Sequence, residues 1–257
     1  MNTATPVNVD LTGWELNFVG RKNWIRGQSS ARGIDTAEWP TFAYLRLEKP
    51  QKSTSGKGPT MLYLVRHEET PLNAENRYRG NLNPGLTEAG KHKATGIGYR
   101  LAGKFDRIVA DDFQRTQETA HRIAGGKPVE MDKGLNNWNI GDYSGQKKTP
   151  SKVKEFDSKF VAHPAAKPSN GESLNDFMAR WKPKYEDYLK QSKKQNIVLV
   201  THGSNVGAVL RGFKPAPIQD KATKATGAIV AVGHDGVPKP MAAQKSPKVA
   251  LNSLVRA

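Results

Sequence analysis

The sequence predicts an α/β architecture with a largely parallel central sheet, and three observations predict it. Short continuous apolar runs, MLYLV at 61–65, DRIVA at 106–110 and NIVLV at 196–200, have the length and character of strands buried on both faces. Segments with helical periodicity alternate with those runs. Two histidines, His67 and His202, follow almost directly on the first and third runs. That is where open α/β sheets bind ligands, beyond the carboxyl ends of their strands.

The elements follow in order. Residues 1–59 read as an N-terminal appendage that ends in a linker. The appendage holds Trp14, Trp24 and Trp39, three of the chain's five tryptophans. Its FAYLRL segment, 42–47, alternates as a strand with one buried face. KPQKSTSGKGPT, 49–60, is polar and rich in Ser, Gly and Pro, a linker composition. The main domain is expected over 60–232. A helix is expected to start at Thr87, with Glu88 favouring its dipole and Ala94, Ile97 and Leu101 on one face; Gly96 and Gly98 work against it. A second helix over 115–124 is ended by Gly125 and Gly126. Ser173 caps a long helix striped by Leu174, Phe177, Met178, Trp181, Tyr185 and Tyr188, which Pro183 is expected to kink or split. A short helix over 203–212 and a final strand over 227–232 complete the domain. Residues 233–257 lack periodicity and read as an extended basic tail.

Composition narrows the function classes. A chain of 257 residues suits one large domain or a medium one with appendages, and 36% hydrophobic residues suffice for a core. With no cysteine, disulfides and thiolate chemistry are excluded, and a zinc site would need His and carboxylates alone. A cytoplasmic setting is compatible with that composition. No apolar run is long enough for a bilayer, and MNTATPVNVDLTGW does not read as a signal peptide. The net charge of +16 is spread along the chain without a basic run longer than a pair. Such a field attracts polyanions (nucleic acid, acidic proteins, phosphorylated metabolites), or is simply a basic surface. No zinc-finger, RNP or helix-turn-helix pattern supports a dedicated nucleic-acid binder.

The chemistry gathers at strand ends. Arg66 and His67 follow the first run, and Thr201, His202 and Gly203 follow the third. ADDFQRTQETA, 110–120, places Arg115 on the first turn of the helix after the second run. Two arginines and two histidines there would make a cationic pocket. Guanidinium forks match the equatorial oxygens of a phosphoryl group in transit, and a histidine nitrogen can attack phosphorus and hold it covalently.

The order LVRHEET, Asn73, Arg77, Gly80, GLTEAG, QRTQETA, GES and VTHG resembles the histidine phosphatase superfamily, with its phosphoglycerate mutase-like fold, over about 60–232. The resemblance implies a three-layer sandwich. It implies His67 as nucleophile, with Arg66, Arg115 and His202 binding the phosphoryl oxygens. It adds Asn73, Arg77 and Gly203 to the substrate-binding set, and it implies neither metal nor cofactor. The expected partner is a small phosphorylated substrate or a phosphoprotein.

Three departures from the family pattern qualify that expectation. Glu68 stands where the family has a glycine, so its carboxylate is expected to repel phosphate and raise the pKa of His67 unless it points away. Asn137, in LNNWNIGDYSG, stands where many members carry the glutamate that protonates the leaving group, and an amide supplies no proton. Asp142 and Glu68 are candidate replacements. Asn83 to Gly85 alter a family loop, with little bearing expected on the chemistry. Two readings stay open. One is a phosphatase working through phosphohistidine, the altered acid site arguing against a mutase. The other is a weak or inactive phosphatase-like scaffold, binding polyanions or taking part in an assembly through residues 1–59 and the tail, in the cytoplasm or a virion.

Overall fold

A computed structural model describes residues 15–17, 46–48, 60–216 and 225–242. The chain divides into two compact units, Met1–Lys57 and Gly58–Ala257. In the first, β1 (Glu15–Asn17) pairs antiparallel with β2 (Arg46–Glu48), Leu16 opposite Leu47. β2 overlaps the end of the strand expected over 42–47; residues 42–45, the three tryptophans and the linker at 49–59 lie outside the described residues.

The second unit carries the expected α/β layers. Its sheet has six strands: β3 (Leu62–Arg66), β4 (Arg107–Ala110), β5 (Val129–Met131), β6 (Ile197–Thr201), β7 (Ile229–Val232) and β8 (Pro238–Pro240). They lie in the order β5-β4-β6-β3-β7-β8. The first four are parallel, while β7 and β8 add on antiparallel beyond β3. β8 comes from the stretch expected as unpatterned tail. Its residues alternate too little to announce a strand, and the open edge of β7 supplies the pairing. Residues 243–257 lie outside the described residues.

The alternation of side chains along each strand makes three layers. Leu62, Leu64, Ile197, Leu199, Val230 and Val232 face one way, against α5 (Leu174–Gln191) and α6 (Gly203–Leu210). Tyr63, Val65, Ile108, Val198, Val200 and Ile229 face the other, against α2 (Glu88–Leu101) and α3 (Gln114–Ala124). Thr87 caps α2 through Gly90 N, and Glu88 lies in the first turn, as expected. Gly98 serves the packing: a Cβ there would come within 2.9 Å of Arg122 O on α3. α5 opens on the capping box of Ser173 and Asp176 and runs unbroken through Pro183. Its buried stripe, Leu174 to Tyr188 with Trp181 fully enclosed, holds the helix on both sides of the missing amide donor.

Two short helices complete the fold: α1 (Pro71–Ala74), capped by Thr70, and α4 (Pro150–Phe156), capped by Thr149, which passes into a π-helical turn at Asp157–Val161. Phe156, Phe160 and Tyr143 pack together with Trp138 over the outer face of the first core. Among the described residues no helix is long and apolar enough to cross a membrane.

Candidate functional site

Register brings the two histidines together. β3 and β6 are adjacent and parallel with Arg66 opposite Thr201, so the next residues on each, His67 and His202, are neighbours beyond the sheet edge. The His67 amide continues the ladder by donating to Thr201 O at 2.8 Å, and the two rings meet edge-on at 5.3 Å. Both are buried. On the other side of β6, Ala110 lies opposite Val200, which sets Asp111 at the same edge. From there the chain turns into α3, whose first turn carries Arg115 back over the strand ends.

Hydrogen bonds decide the proton positions. His67 Nδ1 lies 2.7 Å from Glu68 O. A carbonyl only accepts, so Nδ1 carries the hydrogen and Nε2 carries the lone pair. Nε2 is buried and meets no hydrogen-bond partner. Burial, with Arg115, His202, Arg79 and Arg66 adding to it, holds the His67 pKa well below the ordinary histidine value, so the ring is neutral at neutral pH. His202 is held down in the same way by burial and then by Arg115, Arg79 and Arg66. Its Nδ1 accepts from Arg115 Nε at 3.4 Å, which puts its proton on Nε2, against Asp111 Oδ2. The other Asp111 oxygen accepts from Phe113 N at 3.0 Å and from the Thr116 hydroxyl, both at the start of α3. Burial pushes the Asp111 carboxyl up to about 6.

Three guanidiniums surround the imidazoles. Arg66 and Arg115 are buried, and burial lowers each to about 9; half-buried Arg79 is lowered by burial to about 10. All remain cations at neutral pH. Arg115 is aimed by the backbone: Nη1 donates to Leu82 O at 2.6 Å and Nη2 to Gly80 O at 3.2 Å, while its guanidinium lies 4.1 Å from the Phe113 ring centre. The carbonyls of Gly80 and Leu82, just ahead of the departing residues Asn83 to Gly85, hold Arg115, and Asn83 Oδ1 accepts from Gln114 N at the start of α3.

The remaining expected residues fall unevenly. Asn73 commits Oδ1 to Thr70 N and Oγ1, closing α1. Arg77 donates to Glu75 and to Gly145 O, tying its loop to the segment beside Lys147, which leaves Arg79 as the arginine of that loop felt at the pocket. Gly203 opens α6 directly after His202. Glu68 is turned away: its carboxylate bonds Thr226 and its own neighbour Glu69 N. It fills the space beside Gly227, whose φ is +68° and where a Cβ would come within 2.0 Å of Glu68 Oε1. The expected rise of the His67 pKa is thus replaced by a fall, because burial and cations, not Glu68, surround the ring. Asp142 is exposed and accepts from Asn170 Nδ2.

Asn137 lies at the edge of the pocket. Its Nδ2 donates to Gly80 O at 3.4 Å, the carbonyl that also accepts from Arg115, and its Oδ1 accepts from the Ser204 hydroxyl. Beyond it opens a cleft of about 270 Å³ lined in part by Asn81, Phe113, Asn136, Asn139 and Arg180. Sequence reasoning gave Asp111, Arg79 and this cleft no role. Asp111 carried a signal, as the first charged residue after a buried run; Arg79 and the cleft sit on aperiodic loops and carried none.

Two buried neutral imidazoles ringed by guanidiniums, one with a free lone pair, have the chemistry to hold and transfer a phosphoryl group. The histidine phosphatase superfamily (branch 1) matches residues 62–241, and the chain belongs to that family. Among its relatives, the 2,3-bisphosphoglycerate-dependent phosphoglycerate mutase of Bartonella henselae is 32% identical over 166 residues, 60% of this chain and 81% of that one. Phosphoglycerate mutase-like protein 4 of Arabidopsis thaliana is 30% identical, covering 60% of this chain and 71% of that one. Among solved structures, TTHB049 from Thermus thermophilus matches with a TM-score of 0.56 and 28% identity, over 71% of this chain and 99% of that one. A phosphoserine phosphatase mutant from Entamoeba histolytica shares the fold, with a TM-score of 0.61 at 23% identity over 71% of this chain and 95% of that one. The family and the phosphoglycerate mutase relatives support a phosphatase-like function at a coarse level.

Proposed function

We propose that the protein is a phosphatase that hydrolyses a phosphate monoester through a phosphohistidine at His67. The observation that carries this reading is the state of the His67 ring: Nδ1–H pinned to Glu68 O, and Nε2 buried, neutral and without a partner. In the first step the Nε2 lone pair forms the N–P bond as the P–O ester bond breaks. The leaving oxygen keeps the bonding electrons. Arg66 and Arg115 hold the transferred oxygens. In the second step water adds to phosphorus, the N–P bond breaks, and phosphate leaves with His67 neutral again.

Proton supply to the leaving oxygen is the weak point of this site. Asn137 has no proton to give, Asp111 is committed to His202, and Glu172 accepts from Arg180 and Asn139 N. The reading therefore favours esters whose leaving oxygen needs little protonation, and it disfavours a mutase, which must return the phosphoryl group to an alcohol. Asn137 is also what favours the alternative, a scaffold with little turnover. Glu68, turned away, no longer does.

The test is hydrolysis of 4-nitrophenyl phosphate by the wild-type chain and by His67→Ala, with a search for acid-labile phosphate on the protein. Loss of turnover on the order of 10³-fold or more in the mutant, and of the labile phosphate with it, is the expected result. Equal rates from the two folded proteins would sink the phosphatase in favour of the scaffold.

A further inference from the structure

We infer that Asp111 is a positioning residue that lets His202 take up a proton when an anion fills the pocket, so that His202 turns from acceptor to donor as the phosphoryl group arrives. This rests on the phosphatase reading and adds to it a proton bound together with the substrate.

The geometry on both sides of the ring carries the inference. Asp111 is fully buried and His202 nearly so. Asp111 Oδ1 is taken by Phe113 N at 3.0 Å and by the Thr116 hydroxyl, and Oδ2 is set against His202 Nε2. On the far side, His202 Nδ1 stands 3.4 Å from Arg115 Nε and accepts from it. An anionic oxygen held by Arg115 changes that contact. Two N–H donors whose nitrogens lie that far apart can share one oxygen at ordinary hydrogen-bond distance from each. With a hydrogen on Nδ1, His202 and Arg115 become such a pair. Because Nδ1 faces Arg115, the hydrogen serves the oxygens that Arg115 binds.

Charge opposes the proton until the anion is present. Burial disfavours imidazolium at His202, and Arg115 on α3, Arg79 in the loop before α2, Arg66 on β3 and Arg180 on α5 add to that. The remaining titratable neighbour, His67, is itself neutral. A bound dianion offsets the guanidiniums, and the carboxylate already at Nε2 stabilises the added charge. The proton comes from solvent and belongs to the Asp111–His202 pair. Drawn as imidazolium against carboxylate, or as imidazole against carboxyl, the pair carries a hydrogen on Nδ1 in both forms. His67 is not built this way. Its Nδ1 is committed to Glu68 O and its Nε2 meets no hydrogen-bond partner, so it keeps the lone pair that attacks phosphorus.

The probe is sulfate, which stays a dianion across neutral pH and so contributes no ionisation of its own. Its inhibition constant against 4-nitrophenyl phosphate is measured for the full chain from about pH 6 to 8, beside 15N spectra of histidine-labelled protein in which His67→Ala assigns the pocket signals. Inhibition is expected to weaken as pH rises, by up to about 10-fold per unit, because a complex that takes up a proton is favoured by acid. On adding sulfate at about pH 7, the His202 Nδ1 signal is expected to change from unprotonated to protonated. Asp111→Asn keeps its amide oxygen on Phe113 N and Thr116 and turns its NH2 to His202 Nε2, which then accepts and takes no further proton. Sulfate inhibition in that variant is expected to be flat with pH. A pH dependence equal in the two proteins, or a His202 Nδ1 that stays unprotonated in the wild-type sulfate complex, overturns the inference and leaves the phosphatase standing. The spectra decide it on the wild-type chain alone, whatever the variant does to folding. Absence of aryl turnover overturns both.

Discussion

At the ends of β3 and β6, Arg66, Arg115 and Arg79 surround two neutral imidazoles, and Asp111 is the carboxylate set against them. Past Phe113, in the cleft, Arg180 and Lys133 each already have a carboxylate partner. The first region carries surplus positive charge in a dry setting, and the second carries none. The difference in construction runs parallel to the difference in charge. The pocket stands on parallel strands whose register fixes the neighbours of His67, while the cleft stands on loops held by side-chain bonds from α5 and α6 and by one another. On the proposed phosphatase reading, the surplus charge is what holds the phosphoryl group.

The largest expected effect tests the support common to both regions. Trp181 is fully buried on α5 and donates to Asn205 O on α6 at 3.1 Å, beside the Arg180 that holds the cleft. Trp181→Ala should lower stability by about 3–5 kcal/mol, read from the urea midpoint. A loss under about 1 kcal/mol would mean that the layer does not depend on this stripe.

Next in size is the contrast between two arginines. Arg115→Ala should lower 4-nitrophenyl phosphate turnover on the order of 10²–10³-fold, because it removes a donor aimed at developing charge. Arg180→Ala should lower stability by about 1–3 kcal/mol, since it strips partners from Glu172 and two carbonyls, with turnover of the aryl ester reduced far less. Equal effects on turnover would erase the distinction between pocket and cleft.

Asn137→Glu restores a carboxyl at the boundary of the two regions. For an alkyl phosphate the rate should rise, by up to about 10²-fold, while the aryl ester changes little. Parallel changes for both esters would show that leaving-group protonation does not limit this enzyme.

The smallest effect concerns pH. Asp111 is raised to about 6 in the folded protein, so its contribution to stability is full below the unfolded carboxyl value and is lost as pH rises through 6. Asp111→Asn lacks that loss. Its stability relative to wild type should therefore improve between roughly pH 4 and 6, by about 1–3 kcal/mol in all. Denaturant titrations of both proteins across that window read the difference, and a gap that does not move with pH would show that Asp111 keeps an ordinary carboxyl.

Much of the pocket was legible because its determinants are local. The buried runs announce β3, β4 and β6 by apolar content alone, and the residues straight after them, Arg66, His67 and His202, inherit their position from the strand ends. Thr87 and Ser173 announced helix starts because caps act within one turn. Which way Glu68 points was not legible because adjacency in sequence says nothing of direction: the loop sends its carboxylate to Thr226 and Gly227, more than 150 residues along the chain. The helix is not split at Pro183 because local propensity yields to a buried stripe spanning four turns. β8 was missed because an edge strand needs only a neighbour's open edge.

The layer architecture, the family and the residues at the two strand ends all follow from the amino-acid order, since periodicity and short motifs act over a few residues. Three other outcomes waited for the closed fold: which nitrogen of His67 is left with a lone pair, where positive charge exceeds negative, and that Asp111 sits against His202. Each depends on burial and on partners from distant segments, and both exist only once the chain has closed around them.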